Sequence, residues 1–191
     1  YVPTGGGSGS GSGEGNPTQL FSDEFIDSIE SMKIDGVEQP LVVNTYDFGD
    51  TNEHIVTLDL KDGVTSIGTY AFEYCTSLTS IDIPNSVTSI GYNAFYMTPW
   101  WDTYSADTSH HYDNIIYIND VAYKATSTSI TSATFQSGTV SIGGSAFQGC
   151  RGLTSIEIPS GVTSIGAGAF SICTSLTSID IPDSVTSIGE S

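Results

Sequence analysis

A repeat solenoid, in which short coils stack in parallel register, is the fold class this sequence predicts, and three observations predict it. First, Val162 to Pro182 reads Val-Thr-Ser-Ile-Gly-Ala-Gly-Ala-Phe-Ser-Ile-Cys-Thr-Ser-Leu-Thr-Ser-Ile-Asp-Ile-Pro, and the frame recurs 23 residues earlier from Thr139 to Pro159. Second, it fits again from Val64 to Pro84, with Ile67-Gly68, Ala71-Phe72, Cys75, Leu78, Ile81 and Ile83 in the same places. Third, Leu-x-x-Ile-x-Ile, the strand signature of leucine-rich repeats with Ile in two of the Leu places, ends each of these three copies. A fixed period in the range of about 20–50 residues marks units that bury their apolar faces only against their neighbours.

The 191 residues have room for one extended domain. Asp plus Glu number 22 against 4 Lys plus Arg, a formal charge of −18. That balance repels nucleic acid and anionic membrane surfaces, favours solubility, and attracts basic proteins or divalent cations. No apolar run approaches the ~18–20 residues needed to span a bilayer, and Tyr1 does not begin a signal peptide, so the sequence reads as a mature or trimmed form.

In order along the chain, residues 1–17 are dominated by Gly and Ser and predict a flexible linker, either a natural stalk or an added tether. Residues 18–54 lack the repeat and predict an N-terminal α+β cap, because the first coil of a solenoid exposes an apolar face. Within it, Phe21, Phe25, Ile29 and Met32 recur at helical spacing, with Ser22 as N-cap and Asp23 and Glu24 in the first turn. Asp35-Gly36 signals a hairpin, and Leu41 to Phe48 reads as a further strand. Asp47 to Glu53 offers oxygen ligands without the alternation of a calcium loop, so it reads as a solvated turn.

The repeat domain spans 55–191. Ile55, Leu58 and Leu60 lie 23 residues before Leu78, Ile81 and Ile83, which makes 55–60 the first rung. Each unit predicts a main parallel strand, a corner closed by Pro84, Pro159 or Pro182, a short second strand Val-Thr-Ser-Ile, and a helical turn carrying Ala-Phe inward. Main strands are expected at 55–60, 78–83, 130–135, 153–158 and 176–181, with Ala71, Phe72, Ala94, Phe95, Ala146, Phe147, Ala169 and Phe170 buried. Gly68, Gly91, Gly143, Gly166 and Gly189 mark a tight turn or close packing between coils. One unit is interrupted: the strand due at 101–106 reappears at 130–135, 29 residues later. The insertion, at about 99–129, contains a β-hairpin turning at Asn119-Asp120, and insertions in such folds map to loops on one face, often the binding face. The chain ends in mid-unit without a polar cap, as in a truncated array or one whose last coil a partner covers.

Cys75, Cys150 and Cys173 each follow the repeat Phe by three residues, one recurring position seen three times. They read as small core residues with reduced thiols, although Cys150 and Cys173 fall on adjacent coils within reach of a bridge. Trp100, Trp101 and Tyr104 concentrate aromatic surface in the insertion, with Tyr92, Tyr96, Tyr112, Tyr117 and Tyr123 nearby. They serve either as contact residues for a partner or as the insertion's own small core. His110 and His111 are adjacent and would point to opposite faces of an extended segment, which argues against a shared metal ion. Ser, His and Asp occur without catalytic spacing, so no catalytic, cofactor or metal site is expected. Asp59, Asp82, Thr134, Glu157 and Asp180 form a row between the two aliphatic residues ending each strand, facing outward. Like charges on neighbouring rungs are destabilising, so the row points to a basic partner unless it is only a solvated face.

The run Ser-Val-Thr-Ser-Ile-Gly-x-x-Ala-Phe-x-x-Cys-x-x-Leu-Thr-Ser-Ile-x-Ile-Pro resembles the BspA-like leucine-rich repeats of bacterial surface proteins over about 55–98 and 130–191. Thr98-Pro99-Trp100 and Val121-Ala122-Tyr123-Lys124 are similar to an insertion those proteins often carry. The departures are Thr139 in the Val place, Ala133 and Phe135 in Ile places, and Thr98 in the Cys place. The resemblance implies a secreted or surface-anchored bacterial protein, often a lipoprotein, engaged in adhesion or host and matrix contacts, with no catalytic residues. Two function classes follow. One is a non-enzymatic protein-interaction or adhesion module using Asp59, Asp82, Glu157, Asp180, Trp100, Trp101 and Tyr104 toward an unidentified, basic host or matrix protein. The other is a carbohydrate-binding surface protein whose Trp and Tyr stack on glycan rings.

Overall fold

The computed structural model describes residues 18–19, 21, 27–40, 45–46, 56–61, 63–75, 78 and 81–190. The Gly/Ser segment, the Asp47–Glu53 turn, Ser22 to Phe25 and most of the strand read at 41–48 lie outside the described residues. The chain divides into two compact units, one of residues up to Val64 with Tyr70–Asp82 and Phe95–Thr103, the other of Thr65–Thr69, Ile83–Ala94 and Tyr104–Ser191.

The first unit contains an antiparallel sheet in the order Val37–Glu38, Ile29–Ile34, Val56–Leu60. Asp35 and Gly36, with φ of 52° and 81°, close the hairpin predicted from Asp-Gly, since both central residues of a type I′ turn need positive φ. The helix read over Phe21–Met32 is corrected here: Ile29 and Met32 lie in a strand. An irregularity in the pairing between Ile29 and Ser31 lets Ile29, Met32 and Ile34 all turn inward, so a bulged strand imitates helical spacing. The rung read at 55–60 is also corrected, because Val56–Leu60 pairs antiparallel with Ile29–Ile34, Asp59 opposite Ser31. Thr18–Gln19 and Thr45–Tyr46 form a separate antiparallel pair. Phe72 and Phe95 are buried in this unit and stack at 5.4 Å and 4°.

In the second unit the ladder is made by the short strand of each repeat. Ser66–Ile67 pairs in parallel with Ser89–Ile90, and Ser141–Ile142, Ser164–Ile165 and Ser187–Ile188 pair in sequence, every residue opposite one 23 positions away. The segments 130–135, 153–158 and 176–181, read as the main strands, have no ladder; Thr154 N–H donating to Thr131 O at 3.2 Å is one isolated tie. Hydrogen bonding concentrates at the glycine because nothing there holds the coils apart. A Cβ on Gly166 would lie 2.4 Å from Gly144 N, and Gly166 N–H instead donates to Ile142 O at 2.7 Å. Beyond the glycine the amides alternate, with Ala146, Gln148 and Cys150 N–H donating within the coil to Gly143, Ser145 and Phe147 O. Ser145, Phe147 and Gly149 N–H donate to Ala167, Ala169 and Ser171 O of the following coil at 2.9, 2.8 and 2.8 Å.

The insertion continues the sheet instead of hanging from it as a loop. His111–Tyr112, Ile115–Ile118 and Val121–Ala125 run antiparallel, the second turn at Asn119-Asp120, and Val121–Ala122 then pairs in parallel with Ser141–Ile142. All of Ile115–Ile118 and Val121–Tyr123 are buried, as expected of strands covered on both faces. The core of this unit gathers Ile115, Tyr117, Phe135, Ile142, Phe147, Leu153, Val162 and Ile165. Ala71, Ala94, Ala146, Ala169, Phe72, Phe95 and Phe147 are buried as predicted, whereas Phe170 is only half-buried, in the coil next to the last. Thr139, in the Val place, is buried without loss: its hydroxyl donates to Gln136 O at 2.8 Å and meets Tyr117 Oη at 3.2 Å.

Candidate interaction surface

The insertion begins with a helix, Pro99–Ala106, that the sequence reading missed. Thr98 caps it: its hydroxyl accepts from Trp101 N–H at 3.1 Å and donates to Phe95 O at 2.8 Å, with Pro99 in the first helical position. Thr-Pro was the available signal, and it explains why Thr98 stands where other units have Cys. Trp100 is 8% exposed and its ring lies 4.5 Å from that of Phe95, so its surface is taken up by packing. Trp101 is half-buried, 6.5 Å from Trp100.

Tyr104 is half-buried in the other unit, its hydroxyl donating to Tyr117 O at 2.8 Å and its ring stacked on His110 at 3.7 Å and 7°. Burial, then the Asp107 charge, pushes its phenol above the ordinary value. Asp107 caps a short 3₁₀ turn, Thr108–His110, by accepting from Ser109 N–H at 2.9 Å, and those hydrogen bonds from Ser109 hold its carboxyl below the usual range. His110 Nε2 sits 3.8 Å from Asp107, while His111 Nε2 bonds Ser105 O at 2.8 Å. The two histidines therefore have separate structural partners. Among the described residues no group of three His, Cys, Asp or Glu is placed to hold a metal ion.

Asp82, Glu157 and Asp180 are exposed, as is Thr134. Asp59 lies in a strand of the antiparallel sheet, and its side chain lies outside the described residues. Cys75, Cys150 and Cys173 are buried thiols. Burial pushes the Cys75 thiol up to about 12 and Cys150 up to about 11, the latter also raised by Cys173 and lowered by Lys124. Cys173 Sγ donates to Phe147 O at 3.0 Å, and Lys124 Nζ to Ser145 O at 3.3 Å. No helix of the described residues is long and apolar enough to cross a membrane.

The model of the BspA type leucine rich repeat region matches residues 41–111 and 116–191, in six copies. The chain belongs to this family. Two solved bacterial structures are similar to this BspA-type chain. A leucine-rich-repeat protein of T. pallidum is 23% identical, with 68% of this chain and 37% of that one covered and a TM-score of 0.27. One from Eubacterium ventriosum is 19% identical, with 65% and 41% covered and a TM-score of 0.34. The chain thus spans about four tenths of the length of the structures it matches. No curated protein matches it.

Sequence reasoning missed a set of exposed side chains in the BspA-type turns: Tyr70, Tyr74 and Met97, next to Tyr96. The signal was present in the repeat alignment, where Tyr74 and Met97 fall in the place of Gly149 and Ile172, and Tyr70 in that of Asn93, Ser145 and Gly168.

Proposed function

We propose that the chain is a non-enzymatic interaction module displayed on a bacterial cell surface, where it takes a basic protein partner in an adhesive contact. Its scaffold is a solenoid of 23-residue units, begun by the N-terminal cap at about 18–54 and interrupted at about 99–129. The observation that carries the reading is the exposure of Asp82, Glu157 and Asp180 on a chain with 22 acidic and 4 basic residues. Carboxylates on a chain of formal charge −18 oppose one another's ionisation at long range, and a cationic partner relieves that field while being steered to the surface. The glycan alternative relies on exposed Trp and Tyr of the insertion, and of these Trp100 is buried against Phe95 while Trp101 and Tyr104 are half-buried.

The test is to immobilise the chain and screen host-matrix and cell-surface proteins at low and high salt. Binding should favour basic partners and weaken with salt. The triple variant Asp82→Asn, Glu157→Gln, Asp180→Asn should slow association and flatten its salt dependence, because rim charges act chiefly on the association rate. A partner indifferent to both salt and the triple variant would leave the row as a solubility feature.

A further inference from the structure

Four bulky side chains of the first unit stand outside the core. Tyr70, Tyr74, Tyr96 and Met97 are 45, 60, 44 and 53% exposed. Three of them occupy left-handed backbone, with φ of 60° at Tyr70, 58° at Tyr74 and 61° at Met97. A side chain is strained in that conformation; the place of Tyr70 holds Asn93, Ser145 and Gly168 in later repeats, at φ of 51°, 53° and 61°, and that of Tyr74 and Met97 holds Gly149 and Ile172, at φ of 76° and 62°. The turn therefore needs no side chain at these positions. Bulky ones add strain and gain little burial, the pattern expected where a residue serves a contact outside the fold.

The exposed rings are also pre-arranged. Tyr74 and Tyr96 meet edge-to-face, with centroids 5.7 Å apart at 82°, and Tyr74 N–H donates to Tyr96 O at 2.9 Å. An edge-to-face pair uses one face of one ring and the edge of the other, which leaves three faces outside the pair. A tyrosine face carries negative potential and attracts Lys or Arg, and here it is mounted on a chain of formal charge −18.

We propose that Tyr74 and Tyr96, flanked in the same two turns by Tyr70 and Met97, form an aromatic seat for Lys or Arg side chains of a basic protein segment. The seat rests on the reading above that the partner is basic, and it adds short-range cation–π contact to the long-range steering of the carboxylates. Tyr70 and Met97 supply adaptable apolar surface for the cation's aliphatic stem.

A fluorescent octa-arginine peptide titrated against the whole chain tests this. The double variant Tyr74→Leu, Tyr96→Leu should weaken binding about tenfold, or about 1.4 kcal/mol, whereas Tyr74→Phe, Tyr96→Phe should keep it. Tyr74→Asn, whose side chain tolerates the left-handed backbone, should raise the thermal unfolding midpoint while weakening binding, which also shows that lost binding is not lost folding. If the Leu pair binds the peptide as tightly as the parent and with the same salt dependence, the seat is overturned and the basic-partner reading stands. If the parent does not bind the peptide even at low salt, the basic-partner reading fails and takes the seat with it. If a neutral oligosaccharide binds instead, and the Leu pair abolishes that, the seat is a glycan platform and the cationic occupant is wrong.

Discussion

Phe147 shows how much one repeat position carries. Its ring is fully buried between Phe170, stacked at 5.3 Å and 5°, and Phe135, edge-on at 5.9 Å. Phe147→Ala should cost about 3–5 kcal/mol by denaturant unfolding, and Phe170→Ala clearly less, because its ring is already part-way in water. The thiols are a second residue-scale case. For an acid whose folded pKa is raised, stability is complete below the unfolded pKa and is lost as pH climbs toward the folded one. With Cys75 moved from 9.0 to about 12 and Cys150 from 9.0 to about 11, stability should fall as pH rises above about 9. Lys124, lowered by burial, works in the opposite direction and offsets part of the loss. At neutral pH all three cysteines should react slowly with a thiol reagent in the native chain and quickly on unfolding; rapid native labelling would overturn their place in the core.

At the scale of elements, the recurring glycine and the capped helix are the places where repeat consensus and structure make different predictions. Gly68 and Gly166 look alike in sequence, but among the described residues a Cβ on Gly68 meets nothing within 4 Å, while one on Gly166 strikes Gly144 backbone at 2.4 Å. Gly166→Ala should cost about 1–3 kcal/mol or more, since backbone must move. Gly68→Ala should leave stability unchanged or raise it by up to about 1 kcal/mol. Equal effects at the two sites in thermal melts would contradict the close approach of the coils. Thr98→Cys restores the usual repeat residue, yet it should destabilise by about 1 kcal/mol because it removes the hydroxyl that caps Pro99–Ala106.

For the whole molecule, charge is the dominant property. With −18 spread over 191 residues, repulsion among carboxylates opposes the compact state. Raising ionic strength with a weakly interacting salt should increase the unfolding midpoint, since screening shortens repulsion to about 10 Å at 0.1 M. The same salt should weaken binding to a basic partner, so stability and affinity should move in opposite directions. A midpoint that ignored salt would mean the acidic surface is already neutralised by internal pairing.

The repeat frame, the buried Ala-Phe pairs other than Phe170, the reduced cysteines and the hairpins at Asp35-Gly36 and Asn119-Asp120 were legible in the sequence. Each depends on local chemistry or on a pattern copied down the chain. Which segment of the unit forms the ladder was not legible, because hydrogen bonds follow where coils approach, and that distance is set at the glycine by the backbone of the neighbouring coil. Ile29 and Met32 read as helical because a bulged strand and a helix can produce the same spacing, and only pairing with Val56–Leu60 separates them. The aromatics divided in the same way. Sequence placed Trp100 and Tyr96 in one class of large amphipathic residues, but burial of the first against Phe95 and exposure of the second were decided by tertiary contacts alone.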